Sequence, residues 1–171
     1  DYLRIASESG IGWVAFRAGR RNIQSFEMLD RVVDAILPTA AQPNVRVALV
    51  NGQNTRLEQL EDLRQLLANY RDVDLQLVLD RAAFHDASVN PRDAFREYLD
   101  DTVAIRLADR VGRRTVSLGQ GEINVPAMIE ELQRRAYQGH LVIGPEAPSD
   151  LEPSSYLQES ATYVRQRWAK V

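Results

Sequence analysis

"NVRVALVNGQNTRLEQLEDLRQLLANYRDVDLQLVLD", Asn44 to Asp80, is the stretch whose reading decides the fold. Two short apolar runs, Val45–Val50 and Leu75–Leu79, bracket a segment in which Leu57, Leu60, Leu63, Leu66 and Leu67 recur on one helical face. Near-continuous Val/Leu runs of that length suit strands buried on both faces, and the intervening spacing suits an amphipathic helix. The stretch is predicted as a strand, a helix capped by Thr55, and a second strand ending at Asp80, the two strands parallel.

Working outward, the same pattern repeats. Upstream, "DYLRIASESG" reads as a helix tail closed by Gly10 and "IGWVAFRAG" as a strand over Ile11–Phe16. "SFEMLDRVVDAILP" reads as a helix with Ser25 as N-cap, apolar positions at Phe26, Leu29, Val32, Val33, Ile36 and Leu37, and Pro38 as its stop. Downstream follow a helix at "NPRDAFREYLD", a strand at "DTVAIRLAD" ending near Asp109, and a helix at "NVPAMIEELQRRAY". "GHLVIGPE" is the last strand and "PSSYLQESATYVRQRWAKV" a closing helix. About five β/α units are legible in all, with no linker between them.

The bulk composition narrows the function. With 171 residues the chain has room for one domain with a sizeable core. A hydrophobic share of 44% and a charged share of 26% are those of a globular protein. A net charge of -3 gives no nucleic-acid footprint, and no apolar run is long enough for a membrane span. There is no cysteine, hence no disulfide, thiolate metal site or Cys nucleophile. Lys170 is the only lysine, which removes interior Schiff-base chemistry. No G-x-S-x-G nucleophile elbow is present. No signal-peptide pattern follows Asp1, and the expected location is cytoplasmic; the first residue being Asp, the chain is expected to be a piece of something longer.

Two architectures fit five β/α units. One is a small doubly wound parallel sheet; the other is the C-terminal part of a TIM-like (β/α)₈ barrel, which takes about 250 residues when whole. "LGQGEIN", Leu118 to Asn124, precedes a helix but does not directly follow a strand, so it is a weak dinucleotide fingerprint. Its backbone N–H groups suit an anion, but the loop is read as one that leads into the last helices.

From Val103 onward the chain resembles the xylose isomerase-like TIM barrels, the sugar phosphate isomerases and epimerases. The resemblance rests on "AIRLAD", "LGQGEINV", "AYQGHLVIGPE" and the acidic loop and helix "APSDLEPSSYLQESATYVRQRW", in that order. "LQLVLD", "VRVALVNG" and "IGWVAFRAG" are similar to that family's sixth, fifth and fourth strands, so the resemblance implies barrel strands four to eight. The remaining strands are then expected from upstream sequence or from a partner chain.

The resemblance also implies a divalent metal, Mn²⁺, Mg²⁺ or Zn²⁺, held by carboxylates and imidazoles at strand C-termini. Carried onto this sequence, those ligand positions fall at Arg17, Val50, Asp80, Ala83, Ala104, Arg106 and Gly144. Only Asp80 keeps a ligating side chain. A unit charge about 4 Å from another is worth roughly 4 kcal/mol at an effective dielectric near 20, so Arg17 and Arg106 oppose a cation there.

The expectation is therefore a sugar phosphate isomerase/epimerase-like barrel that has lost its metal site and serves as a non-catalytic or anion-binding module. Arg17, Asn51 and Arg106 are the candidate residues for a small anionic or sugar-like ligand; the bland reading has the arginines pair with Asp80, Asp109 or Glu146 and fill the vacated cavity. The alternative is an active metal-dependent isomerase/epimerase, with Asp80 and Glu146 catalytic and a metal on Asp80, His85, Glu146 and upstream ligands. His85 and Asp86 in "FHDAS" are either a replacement ligand pair or loop residues; His140, Trp13 and Trp168 are read as structural.

Overall fold

The structure is a computed structural model, and it describes residues 2–23, 25–41, 44–144, 147–148 and 150–169. Five strands, β1 (Trp13–Arg17), β2 (Arg46–Val50), β3 (Leu75–Asp80), β4 (Thr102–Leu107) and β7 (His140–Ile143), form one sheet in the order β1-β2-β3-β4-β7. Every pairing is parallel. Between β4 and β7 a short antiparallel hairpin, β5 (Asp109–Val111) and β6 (Arg114–Val116), stands apart from this sheet.

Strand order and side-chain alternation separate the two architectures. A doubly wound sheet reverses its strand order at a switch point and carries helices on both faces. Here the order follows the chain without reversal. Val47 and Leu49, Leu75, Leu77 and Leu79, and Ile105 and Leu107 share one core with Leu29 and Val33 of α2 (Phe26–Ala41), Leu63 and Leu66 of α3 (Leu60–Asn69), and Ile129 and Leu132 of α6 (Val125–Arg134). The opposite face carries a smaller cluster, Ala48, Val50, Val78, Val103 and Ala104, with Trp13 and Ala15 packed against it. One face clad in helices and one lined by small side chains is the wall of a TIM-like barrel, seen from outside and inside.

The inner face curves. Trp13, the first residue of β1, stacks on His140, the first residue of β7, with ring centroids 5.9 Å apart and planes 27° apart. The two edge strands thus meet across the concavity at their N-terminal ends, and the C-terminal ends form the mouth. The β3–β4 register slips once: Leu77 faces Thr102, but Val78 faces Ala104, so Val103 is a bulged residue. Past this bulge Asp80 comes level with Arg106.

Several predicted boundaries are corrected. Pro38 does not stop α2, which runs to Ala41. The proline ring is exposed, while Ala40 is buried and holds the last turn on the core. Thr55 does not cap a helix; its hydroxyl donates to the Gly52 carbonyl at 2.7 Å, and α3 begins only at Leu60, behind Gln59. Leu57 is fully buried all the same, from a loop. Asp80 does not merely end a strand: it is the N-cap of a short helix, α4 (Arg81–Asp86). Asp109 opens the β5–β6 hairpin and not the end of β4; Gly112, at φ +55°, supplies its turn. Helices α1 (Tyr2–Glu8), α5 (Pro91–Tyr98) and α7 (Pro153–Trp168) fall where predicted, the last capped by Glu152. Among the described residues no helix is long and apolar enough to cross a membrane.

Candidate functional site

Four strand ends build the mouth. At β2, Asn51 is buried, and its carboxamide brackets the main chain of Asp80. Asn51 Nδ2 donates to the Asp80 carbonyl at 3.1 Å and the Asp80 N–H donates to Asn51 Oδ1 at 2.6 Å. This two-way bond fastens the end of β2 to the end of β3 and sets the direction in which the Asp80 side chain leaves the strand.

The Asp80 carboxylate is itself engaged on both oxygens. Oδ1 accepts the Ala83 N–H at 3.1 Å, capping α4, and Oδ2 accepts Arg106 Nη1 at 2.9 Å. The two side chains are only 7% and 15% exposed, so this ion pair is largely removed from water. Arg106 also lies beside Gly144, where a Cβ would come within 3.5 Å of its Nε. The guanidinium thus fills side-chain space at the end of β7 and pairs with the carboxylate at the end of β3. Val50, Ala83 and Ala104 place no donor side chain toward the mouth.

Above this floor sits a second polar layer. His85 Nε2 is 3.5 Å from Glu122 Oε2, and Arg110 Nε is 3.5 Å from Asp86 Oδ2. Gln53 Nε2 donates to the Asp86 carbonyl at 3.0 Å, which ties the β2–α3 loop to α4. Among the described residues no three His, Asp or Glu side chains are grouped to hold a metal ion. Glu146, the remaining sequence candidate, lies outside the described residues.

The most buried acid of the region, expected from the sequence as a partner for an arginine, is held by the main chain instead. Asp109 has no exposed surface, and its carboxylate accepts four backbone N–H groups. Arg110 and Ile123 donate to Oδ1 at 2.9 and 3.1 Å, Gly119 and Gly121 to Oδ2 at 2.9 Å each. The loop "LGQGEIN" does cradle an anion through its amides, and that anion is the chain's own aspartate. A Cβ at Gly121 would collide with that carboxylate, and one at Gly119, at φ +89°, with the Tyr163 ring of α7. The neighbouring Arg81 is pushed below its usual value by burial, an effect that Asp109 partly offsets.

Arg17 stands exposed at the end of β1. It lines a cavity of about 800 Å³ with Arg20, Arg21, Asn22 and the loop Gln53–Thr55; Arg106 is not among its walls. The structure therefore brings Arg17 together with Arg20, a residue the sequence reading did not single out, and brings Arg106 together with Asp80. Only the cluster "RAGRR" after a strand hinted at the former.

The profile of the xylose isomerase-like TIM barrel family matches residues 1–167. The chain belongs to that family. No curated protein matches it significantly. Among solved structures, this xylose isomerase-like barrel is similar to a 3-keto-D-glucoside 4-epimerase from E. coli. The TM-score is 0.81 at 18% identity, over 96% of this chain and 67% of that one. It is also similar to a probable 3-DHS dehydratase of petrobactin synthesis from Bacillus anthracis, with TM-score 0.78 at 18% identity, over 95% and 66%. A third, the IOLI protein with a bound zinc atom, gives TM-score 0.79 at 16% identity, over 99% and 67%. At these identities the likeness is one of fold. The chain spans about two thirds of the length of these structures.

Proposed function

We propose that this chain is the C-terminal part of a sugar isomerase/epimerase-type barrel whose divalent-metal centre has been replaced by an ion pair, leaving a module that binds a small anionic or sugar-like ligand without transforming it. The observation that carries this reading is the hydrogen bond from Arg106 to Asp80. A divalent cation needs several oxygen or nitrogen donors converging on one point. The one carboxylate at a family ligand position is occupied on both oxygens, by a guanidinium and by a helix N–H. A cation placed there would face the fixed positive charge of Arg106 at close range. Among the described residues the donor set does not fit a divalent metal.

Metal analysis of the full-length protein, with Mn²⁺ and Zn²⁺ titrations, tests this. The expected outcome is no stoichiometric metal. About one equivalent bound, and lost in Asp80→Ala, would restore the second reading, a metal-dependent isomerase or epimerase of a small sugar or polyol. Two observations favour that second reading: Asp80 persists at the end of β3, and the solved neighbours include an epimerase and a zinc-bound protein.

A further inference from the structure

Arg81, the first residue of α4, shares a small cavity in the helical layer with Arg92 of α5 and with Asn124, the N-cap of α6. Phe95 and Met128, both buried in the outer core, form apolar walls. The cavity measures about 40 Å³, room for about three waters or one ion of about five heavy atoms. A sugar does not fit.

The walls do not balance the charge. Arg81 is half-buried, and its Nε is shut off from water with no acceptor. Among the described residues neither the Arg81 nor the Arg92 guanidinium has an ion-pair or hydrogen-bond partner. The acid on the wall, Glu131, pairs with Arg134 and, at 3.7 Å, with Arg135. Asp109 reaches Arg81 with its charge alone, since both of its oxygens are filled by backbone N–H groups. Burial pushes Arg81 below its usual value, Asp109 partly offsets this, and Arg92 lowers it further. Two guanidiniums on one small cavity thus repel each other while a buried donor goes unused. Such a donor marks a place where water or an ion belongs. Charge decides between them: an anion turns the repulsion into two attractions, and water does not.

We propose that this cavity binds a small free oxyanion, with Arg81 and Arg92 as its charged partners and Asn124 Nδ2, unused by the cap, as a further donor. The site lies on the helix-clad side of the sheet, apart from the mouth, and stands whatever binds near Asp80. The test is calorimetric titration of the full-length protein with sulfate, chloride and glycerol phosphate at fixed ionic strength. Sulfate is expected to bind, and Arg92→Gln to weaken it at least about tenfold through the loss of a charge-assisted partner. Arg64→Gln, on the outer surface, should leave it unchanged. Thermal unfolding gives a second readout. In buffer free of oxyanions Arg92→Gln should melt no lower than the wild-type protein, since it relieves the repulsion on Arg81, and it should lose the rise that sulfate gives the wild type. Should Arg92→Gln not fold, Arg81→Met takes its place in the titration. No sulfate binding, or equal affinity in the wild type and the variant, overturns the site. Chloride as tight as sulfate overturns the assignment to an oxyanion, and glycerol phosphate weakened by Arg92→Gln as much as sulfate overturns the limit to a free ion.

Discussion

Asp80 and Asp109 are two buried aspartates on consecutive connections at the C-terminal side of one sheet, and they are neutralised in opposite ways. Asp80 shares its charge with a guanidinium and one helix N–H. Asp109 is wrapped by four backbone N–H groups, and Arg81 adds only a more distant positive charge. A carboxylate held by peptide dipoles is fixed by the course of the chain, and the loop cannot release it without unfolding. A carboxylate held by a side chain sits at a place where a different side chain, or an ion, can stand. The contrast separates two kinds of support in this barrel: the Asp109 cradle keeps the last β/α connections in shape, and the Asp80 pair joins the ends of β3 and β4 through side chains.

The largest expected effect tests the cradle. Asp109→Ala leaves four N–H donors without their acceptor and should cost at least about 4 kcal/mol in urea unfolding of the full-length protein, a large part of the stability of an ordinary domain. A cost below about 1 kcal/mol would break the comparison, because the loop would then hold itself. Next in size, Asp80→Ala removes the carboxylate that accepts from the largely buried Arg106 guanidinium and uncaps α4, for about 3–5 kcal/mol. Arg106→Met leaves the largely buried Asp80 carboxylate with its Ala83 bond alone and should cost a similar amount, whereas replacing both partners together by apolar side chains should cost less than either single change. A double variant less stable than either single one would break this order. Asn51→Ala exposes no new charge but leaves the buried N–H and C=O of Asp80 unpaired, for about 2 kcal/mol.

An exposed carboxylate sets the lower end of the scale. Glu97 accepts Arg64 Nε at 2.8 Å on the outer surface, and that bond holds its pKa below the usual glutamate range. The ionised form is thus favoured in the folded state. Its small contribution is present above the ordinary glutamate range and disappears as pH falls through the lowered value. Arg64→Ala should therefore move the midpoint of acid unfolding slightly and leave neutral-pH stability nearly untouched. A large neutral-pH loss would show that the surface pair matters as the buried one does.

Much of the molecule was legible residue by residue. Leu63 and Leu66, and the runs at Val47–Val50 and Leu75–Leu79, announce helices and buried strands because one apolar stripe or run has one stable placement. Boundaries were less legible where a side chain has two local uses: Thr55 suits a cap and a turn equally, and Pro38 is tolerated because its ring meets water. In the candidate site, the positions of Asp80 and Arg106 followed from their strands, whereas "LGQGEIN", read as a connection to the last helices, proved to be an amide cradle. That the cradle holds Asp109 was hidden, because it depends on segments ten or more residues apart being folded back on each other, which no local pattern encodes. Arg20 lies three residues from Arg17, and only the cluster "RAGRR" hinted at their grouping.

By itself the sequence determined the alternation of strands and helices and the family, since these are matters of residue type and spacing. Only the tertiary structure decided that the sheet keeps chain order and curves, and that the bulge at Val103 sets Arg106 level with Asp80. It also decided which arginines are engaged and which stand open at the rim. A charge has no fixed meaning along a chain; what it does is set by what faces it, and facing is a property of strand register and loop closure.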